Sequence, residues 1–86
     1  VILFLDTYHH IDDRVNYMRD LRRCLRPGGR VVVVDWLKKK LPEGPPPDHK
    51  LERHQVVDEM EQAGFAFVDA PLELPYHYFL VFGPQD

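Results

Sequence analysis

Cysteine is nearly absent: Cys24 stands alone in 86 residues. One thiol forms no disulfide within a chain, so a reducing compartment, the cytoplasm, is expected. No apolar run approaches the ~20 residues of a membrane span, and nothing has the form of a signal peptide. No membrane partner is expected. Glycine is sparse, with 5 residues, and none are spaced as a phosphate-cradling loop. An excess of positive charge is missing too. Lysine and arginine number 11 against 14 acids, for a net charge of −3, which argues against a nucleic-acid partner. The run Lys38-Lys39-Lys40 reads as a solvated loop. There are no internal repeats. An initial Met is also lacking, and the chain opens directly on Val-Ile-Leu-Phe-Leu, so it reads as a piece of something longer.

What is present suits one small soluble domain, with 44% hydrophobic and 29% charged residues. A chain of this size buries only ~60–65% of its unfolded surface, so its stability margin is thin.

The most informative stretch is Leu25-Arg-Pro-Gly-Gly-Arg-Val-Val-Val-Val-Asp35. A helix ends, a Pro-Gly-Gly turn follows, and a β-branched run begins and stops at an acid. This is the helix-to-strand joint of an α/β sheet. The valines lack polar alternation, so their strand is expected to be covered on both faces. An acid closing such a strand sits at its carboxyl end, where open α/β sheets place ligands.

Around that joint the chain reads as strand, helix, strand, helix, strand, strand. Val1–Leu5 is a continuous apolar run ending at Asp6 and reads as a buried parallel strand. Asp12 or Asp13 is placed to cap a helix. Val15, Met18, Leu21 and Leu25 then recur at helical spacing with Cys24 beside them, a small core hydrophobe by position. The second strand is Arg30–Trp36. Leu37–Lys50 is a loop with four prolines between Pro42 and Pro47, which excludes helix and central strand there. It reads as an excursion on the substrate side. A second helix spans about Glu52–Ala63, with Val56, Val57, Met60 and Ala63 as its apolar face and Gly64 as its stop. Phe65–Leu74 and Tyr76–Phe82 are joined tightly at Pro75, too short for a parallel crossover, so they form an antiparallel hairpin. Alternation puts Tyr76, Tyr78, Leu80 and Phe82 on one face as sheet packing.

These segments resemble the C-terminal half of a class I S-adenosylmethionine-dependent methyltransferase. The likeness is strongest to small-molecule methyltransferases of the ubiquinone/menaquinone-biosynthesis type. It is carried by Leu5-Asp6-Thr7-Tyr8-His9-His10-Ile11, by Leu21-Arg22-Arg23-Cys24-Leu25-Arg26-Pro27-Gly28-Gly29 running into Arg30–Asp35, and by Met60-Glu61-Gln62-Ala63-Gly64-Phe65. The resemblance implies an α/β fold: the later half of a Rossmann-like methyltransferase sheet, parallel strands plus a terminal antiparallel hairpin, in the order first, second, fourth, third. It implies methyl transfer from S-adenosylmethionine to a small-molecule acceptor. It also implies that the family's first three strands and their helices, with the glycine-rich turn after the first strand and the acid after the second, lie before Val1. Residues 1–86 then correspond to strands four to seven, so the cofactor site is incomplete in this chain and the chain alone is inactive. A methyltransferase-like module that only pairs with another chain is the alternative. An unrelated small α/β binding domain is a third reading.

On the resembled pattern, Asp6, Tyr8 and His9 fall at the cofactor, and His10, Asp35 and Trp36 at the acceptor. His9 and His10 are the candidate proton acceptors, since imidazole titrates near neutrality. For the histidines the plainer reading is loop hydrogen bonding, for Asp35 backbone capping, and for Trp36 packing. The 5 histidines include no pair spaced for one helical face, so no metal is expected.

The first strand would be central in the resembled sheet but is an apolar edge here, an association hazard. Its partner is expected from residues before Val1, a second chain or a second copy. Mass measurement in solution checks this: the isolated chain should self-associate, and a monodisperse 10.2 kDa monomer would count against it.

Overall fold

The β-branched run does become a strand. A computed structural model describes residues 1–38, 44 and 50–85. Strand β1 (Ile2–Leu5) leads through a 3-10 turn at Tyr8–His10 to helix α1 (Arg14–Cys24) and strand β2 (Val31–Trp36). Helix α2 (Arg53–Gln62), strand β3 (Phe65–Asp69) and strand β4 (His77–Pro84) complete the chain. They form one sheet in the order β1-β2-β4-β3, as expected. β1 and β2 are parallel, and β4 runs antiparallel to both β2 and β3.

Side-chain alternation divides the sheet into two unlike faces. Val31, Val33, Leu80 and Phe82 join Met18 of α1 and Val56 and Met60 of α2 in one buried cluster. Ile2 and Phe4 of β1 pack against it. On the opposite face Leu3 and Leu5 are 57% and 55% exposed, and no described helix covers them. Of the two expectations for this strand, burial and an apolar edge, the structure shows the edge. Both helices pack on one face, so alternate residues of an edge strand remain open. Within this chain β1 is therefore an edge. The valine strand has paired strands on both sides and is better buried, with Val34 6% exposed.

Other differences have local causes. Asp13 occupies the cap position of α1 but in the left-handed region (φ 52), without a side-chain bond to the helix. Its carboxylate instead accepts from Asn16 Nδ2 at 2.9 Å. Cys24 is exposed rather than part of the core, because Leu21 and Leu25 take the core-facing side of that turn. The final pair is not tightly joined at Pro75. β3 shifts register between Phe67 and Asp69 and stops there, leaving residues 70–76 as an irregular connection. Tyr76 thus precedes β4 rather than lining its face. The proline cluster, Lys39, Lys40, His49 and most of the expected 37–50 loop lie outside the described residues. Among the described residues no helix is long and apolar enough to cross a membrane.

Gly64 ends α2 at φ +95, and a Cβ there would lie 2.8 Å from Arg22 Cδ. Arg22 Nε donates to the Gly64 carbonyl at 2.6 Å, and its Nη2 donates to the Gln85 carbonyl. This arginine therefore ties α1 to the end of α2 and to the end of the sheet. Gly64→Ala should cost at least about 1–2 kcal/mol, the penalty of a left-handed L-residue, read as a lower denaturation midpoint. An unchanged midpoint would mean the turn relaxes around the methyl group.

Candidate functional site

Because β4 runs against β2, its start meets the carboxyl ends of β1 and β2. The Asp6 N–H donates to the Val34 carbonyl at 2.8 Å, and the Leu37 N–H donates to the Tyr76 carbonyl at 2.8 Å. Trp36 stands opposite His77. The polar residues that follow the apolar strands are thus gathered on one rim.

Asp35 holds that rim together. It is 1% exposed and faces the helices, in phase with Val31 and Val33. Burying a carboxylate is costly unless donors surround it, and here they do. His9 Nδ1 lies 2.7 and 2.9 Å from the two carboxylate oxygens. The His9 N–H donates to Oδ2 at 3.1 Å, and the Trp36 N–H donates to Oδ1 at 2.8 Å. A carboxylate only accepts, so Nδ1 of His9 carries the proton and Nε2 of the neutral ring carries the lone pair. Nε2 makes no hydrogen bond among the described residues. The His10 ring packs on the His9 ring, with centroids 4.0 Å apart. Of the two histidines, His9 is the one held in a defined tautomer, and exposed His10 is its cover. Asp35 acts as a clamp on His9 and the loop backbone, and the donors it meets belong to the chain itself.

A second pair crosses the rim on the opposite face. Asp6 adopts φ 55 at the end of β1, and its Oδ1 lies 2.9 Å from His77 Nε2. The contact is close but poorly directed, and neither buried atom has a hydrogen-bond partner of good geometry. The His77 ring lies on Trp36 with centroids 4.2 Å apart. Gly44 also approaches this indole, since a Cβ there would be 2.8 Å from Trp36 ring carbons. Trp36 is therefore chiefly a packing surface for its neighbours.

Tyr8 points into the core. It is fully buried, and its hydroxyl donates to Glu59 Oε1 of α2 at 2.8 Å. Arg14 Nε and Nη2 donate to the two Glu59 oxygens at 2.7 and 2.9 Å, and Gln55 Nε2 donates to Oε2 at 3.2 Å. Burial alone would raise the Glu59 carboxyl, but the bonds from Arg14, Tyr8 and Gln55 outweigh it and hold Glu59 below its ordinary range. The Tyr8 hydroxyl is pushed far up by burial and then by its bond to Glu59. Tyr78 is pushed up by burial and then by the charge of Asp35. Neither phenol is suited to proton transfer near neutrality.

The sequence placed Asp6, Tyr8, His9, His10, Asp35 and Trp36 at the site, and the structure gathers all six near one end of the sheet. It divides their work differently. Tyr8 supports the loop from beneath, with its hydroxyl already bonded. Of the three residues expected at a cofactor, Asp6 keeps the most accessible side chain, 38% exposed against 3% for His9. A carboxylate there suits a cationic ligand. Glu59 and His77 were missed. Glu59 carried a signal: it lies three residues after Val56 and four before Ala63, inside the apolar helix stripe, where a charge needs a partner. His77 carried none, because its neighbours on the rim depend on strand order. Among the described residues no cluster of His, Cys, Asp and Glu could hold a metal ion.

The chain and its fold are similar to those of known proteins. Residues 1–33 match the family model described as a methyltransferase domain. Over 44 residues, 51% of this chain, the sequence is 41% identical to 27-O-demethylrifamycin SV methyltransferase of Amycolatopsis mediterranei (strain S699). The fold is similar to that of a Sulfolobus solfataricus protein described as a type 11 methyltransferase, with a TM-score of 0.85 and 27% identity over 99% of this chain. It is also similar to that of a SAM-dependent methyltransferase from Aquifex aeolicus, with a TM-score of 0.88 and 22% identity over 94% of this chain. The matched stretch is 16% of the Amycolatopsis protein, and the chain spans 49% and 43% of the two solved ones.

The Glu59 cluster has a pH signature. Its folded pKa is depressed, so its stabilisation is fully present above the ordinary carboxylate value of ~4.3 and is lost as pH falls through the lower folded value. Glu59→Gln should therefore be less stable at pH 7 and should lose less stability than the parent between pH 5 and 2, followed by urea denaturation. Parallel pH profiles would show that Glu59 is not held as described.

Proposed function

We propose that this chain, a class I methyltransferase by family match and fold, contributes the acceptor-side half of a catalytic domain. That domain transfers a methyl group from S-adenosylmethionine to a hydroxyl of a small molecule. The observation that carries the reading is the His9–Asp35 pair at 2.7 Å, set where two strands end. The name of the Amycolatopsis relative, which describes an acceptor lacking a methyl on oxygen, supports a hydroxyl.

S-adenosylmethionine, when bound, would supply an electrophilic methyl group and would keep the electron pair of the broken S–C bond on its sulfur; Asp6 is the described residue that would meet its positive charge. The chain's own residues handle the proton and the geometry. An attacking hydroxyl must lose its proton as it bonds to carbon, and His9 Nε2 is the free lone pair at the rim. Asp35 fixes the ring and its tautomer and stabilises the imidazolium that forms. His10 positions His9 by stacking. Asp6, the accessible carboxylate on this rim, suits the positive charge of the cofactor. Holding the reactants in line accounts for much of the remaining acceleration. The glycine-rich turn that would complete the cofactor site is supplied from outside residues 1–86.

One observation favours a second reading, in which the chain is a non-catalytic partner module. Val1, Leu3 and Leu5 expose an apolar edge at 92%, 57% and 55%, which suits pairing with another strand. Calorimetry of the complete protein with S-adenosylhomocysteine separates the two, since absence of binding would leave only the module.

His9→Ala should lower kcat by about 10²–10⁴-fold on the acceptor the complete protein methylates, with S-adenosylhomocysteine affinity unchanged. Asp35→Asn should fall in the same direction, because an amide can present the wrong partner to Nδ1. Full activity in His9→Ala would remove it as the base.

A further inference from the structure

Asp6 is the strained end of β1. Its φ of 55 lies in the left-handed region, which L-residues enter at a cost, and its N–H donates to the Val34 carbonyl at 2.8 Å. This turn fixes where the carboxylate stands. Oδ1 is buried 2.9 Å from His77 Nε2, at the start of the strand beside β2. The side chain as a whole is 38% exposed, so its accessible surface lies away from Oδ1. Neither contacting atom makes a well-directed hydrogen bond, a state that folded proteins seldom leave uncorrected. A neutral imidazole gains little from a carboxylate it does not point at. A protonated one gains more, because Coulombic attraction needs no alignment.

The other charged groups near His77 have tasks elsewhere or offset one another. Its ring stacks on Trp36 of β2, and Lys50 Nζ lies 5.9 Å from the centroid of the same indole. Lys38 Nζ donates to the Lys50 carbonyl at 3.0 Å. Arg53 of α2 and Glu73 of segment 70–76 line the cavity that His77 also borders, with opposite charges. Tyr76 and Tyr78 flank it in the chain, and Tyr78 is held protonated by burial and by the charge of Asp35. Asp35 faces the helices and is engaged by His9. Among the described residues Asp6 is the acid in ion-pair contact with His77.

We propose that His77 and Asp6 form a proton-controlled pair that sets how strongly the rim prefers the cationic methyl donor over its product, whose sulfur is neutral. With His77 neutral, Asp6 presents a full negative charge to the positive sulfur of the donor. With His77 protonated, the pair is close to neutral and that attraction is lost. His77 is thus a positioning residue that acts through Asp6. The inference rests on the methyltransferase reading above, with Asp6 as its cationic contact, and adds a control of donor against product. Linkage makes the effect reciprocal: binding the cationic donor disfavours the protonated form of His77.

The test uses the complete protein and calorimetry with S-adenosylmethionine and S-adenosylhomocysteine at pH 5.5 and 7.5. His77→Gln keeps a polar side chain that does not titrate. Between the two pH values the preference for S-adenosylmethionine should rise about fivefold more in the parent than in His77→Gln, the low end of ordinary couplings between sites. Comparison with the variant cancels the titration of the ligands' own amino groups and of His9 and His10. A ring-proton NMR titration of His77 in the parent needs no variant. Its midpoint should fall on saturation with S-adenosylmethionine and move less with S-adenosylhomocysteine. Equal pH dependence in parent and variant, or a His77 midpoint that responds alike to both ligands, would overturn the pair. Failure of the parent to bind S-adenosylhomocysteine at pH 7.5 would instead overturn the methyltransferase reading, so the two failures are distinguishable.

Discussion

The burial of one carboxylate organises the site. Asp35 ends a valine strand in surroundings that would be hostile to charge, and the loop after β1 folds back to meet it. The His9 backbone, the His9 ring and the Trp36 backbone all donate to it. Without those donors the acid would have to leave the core or lose its charge. With them, the loop is pinned and the imidazole is held in one orientation. The same contacts that make the acid tolerable therefore fix the ring of His9, the residue proposed above as the base.

A second polar cluster sets the frame beneath. Glu59 accepts from Tyr8, Arg14 and Gln55, which ties the rim loop, α1 and α2 to one another. Tyr8 immediately precedes His9. The loop is thus held from two sides, by Asp35 toward the strands and by Glu59 toward the helices. Preorganisation of this kind lets a proton acceptor work without reordering its surroundings at the moment of reaction.

Much of this was legible in advance, for identifiable reasons. The valine run after Pro27-Gly28-Gly29 has few alternatives to a strand. The Val56–Met60–Ala63 stripe ended by Gly64 has few alternatives to a short helix. The strand order followed from the resemblance, and the antiparallel final pair from a joint too short for a parallel crossover. Harder to read were features set by distant contacts. Cys24 sits at a position periodicity could assign to either side of α1. Asp13 takes a left-handed conformation that its type permits but does not require. The hairpin joint was misplaced because Leu72 and Leu74 look like strand residues in isolation, whereas β3 breaks register before reaching them.

The sequence alone decided which segments are strands and helices, and that polar residues follow two apolar strands. Local sterics and periodic burial carry that information over a few residues. Only the tertiary structure decided which of those polar groups meet. Asp35 lies 26 residues from His9, and Glu59 lies 51 from Tyr8. His77 reaches Asp6 because β4 runs antiparallel beside β2. Such partners are chosen by sheet order and helix placement, and a buried charge accepts whichever donor that arrangement delivers.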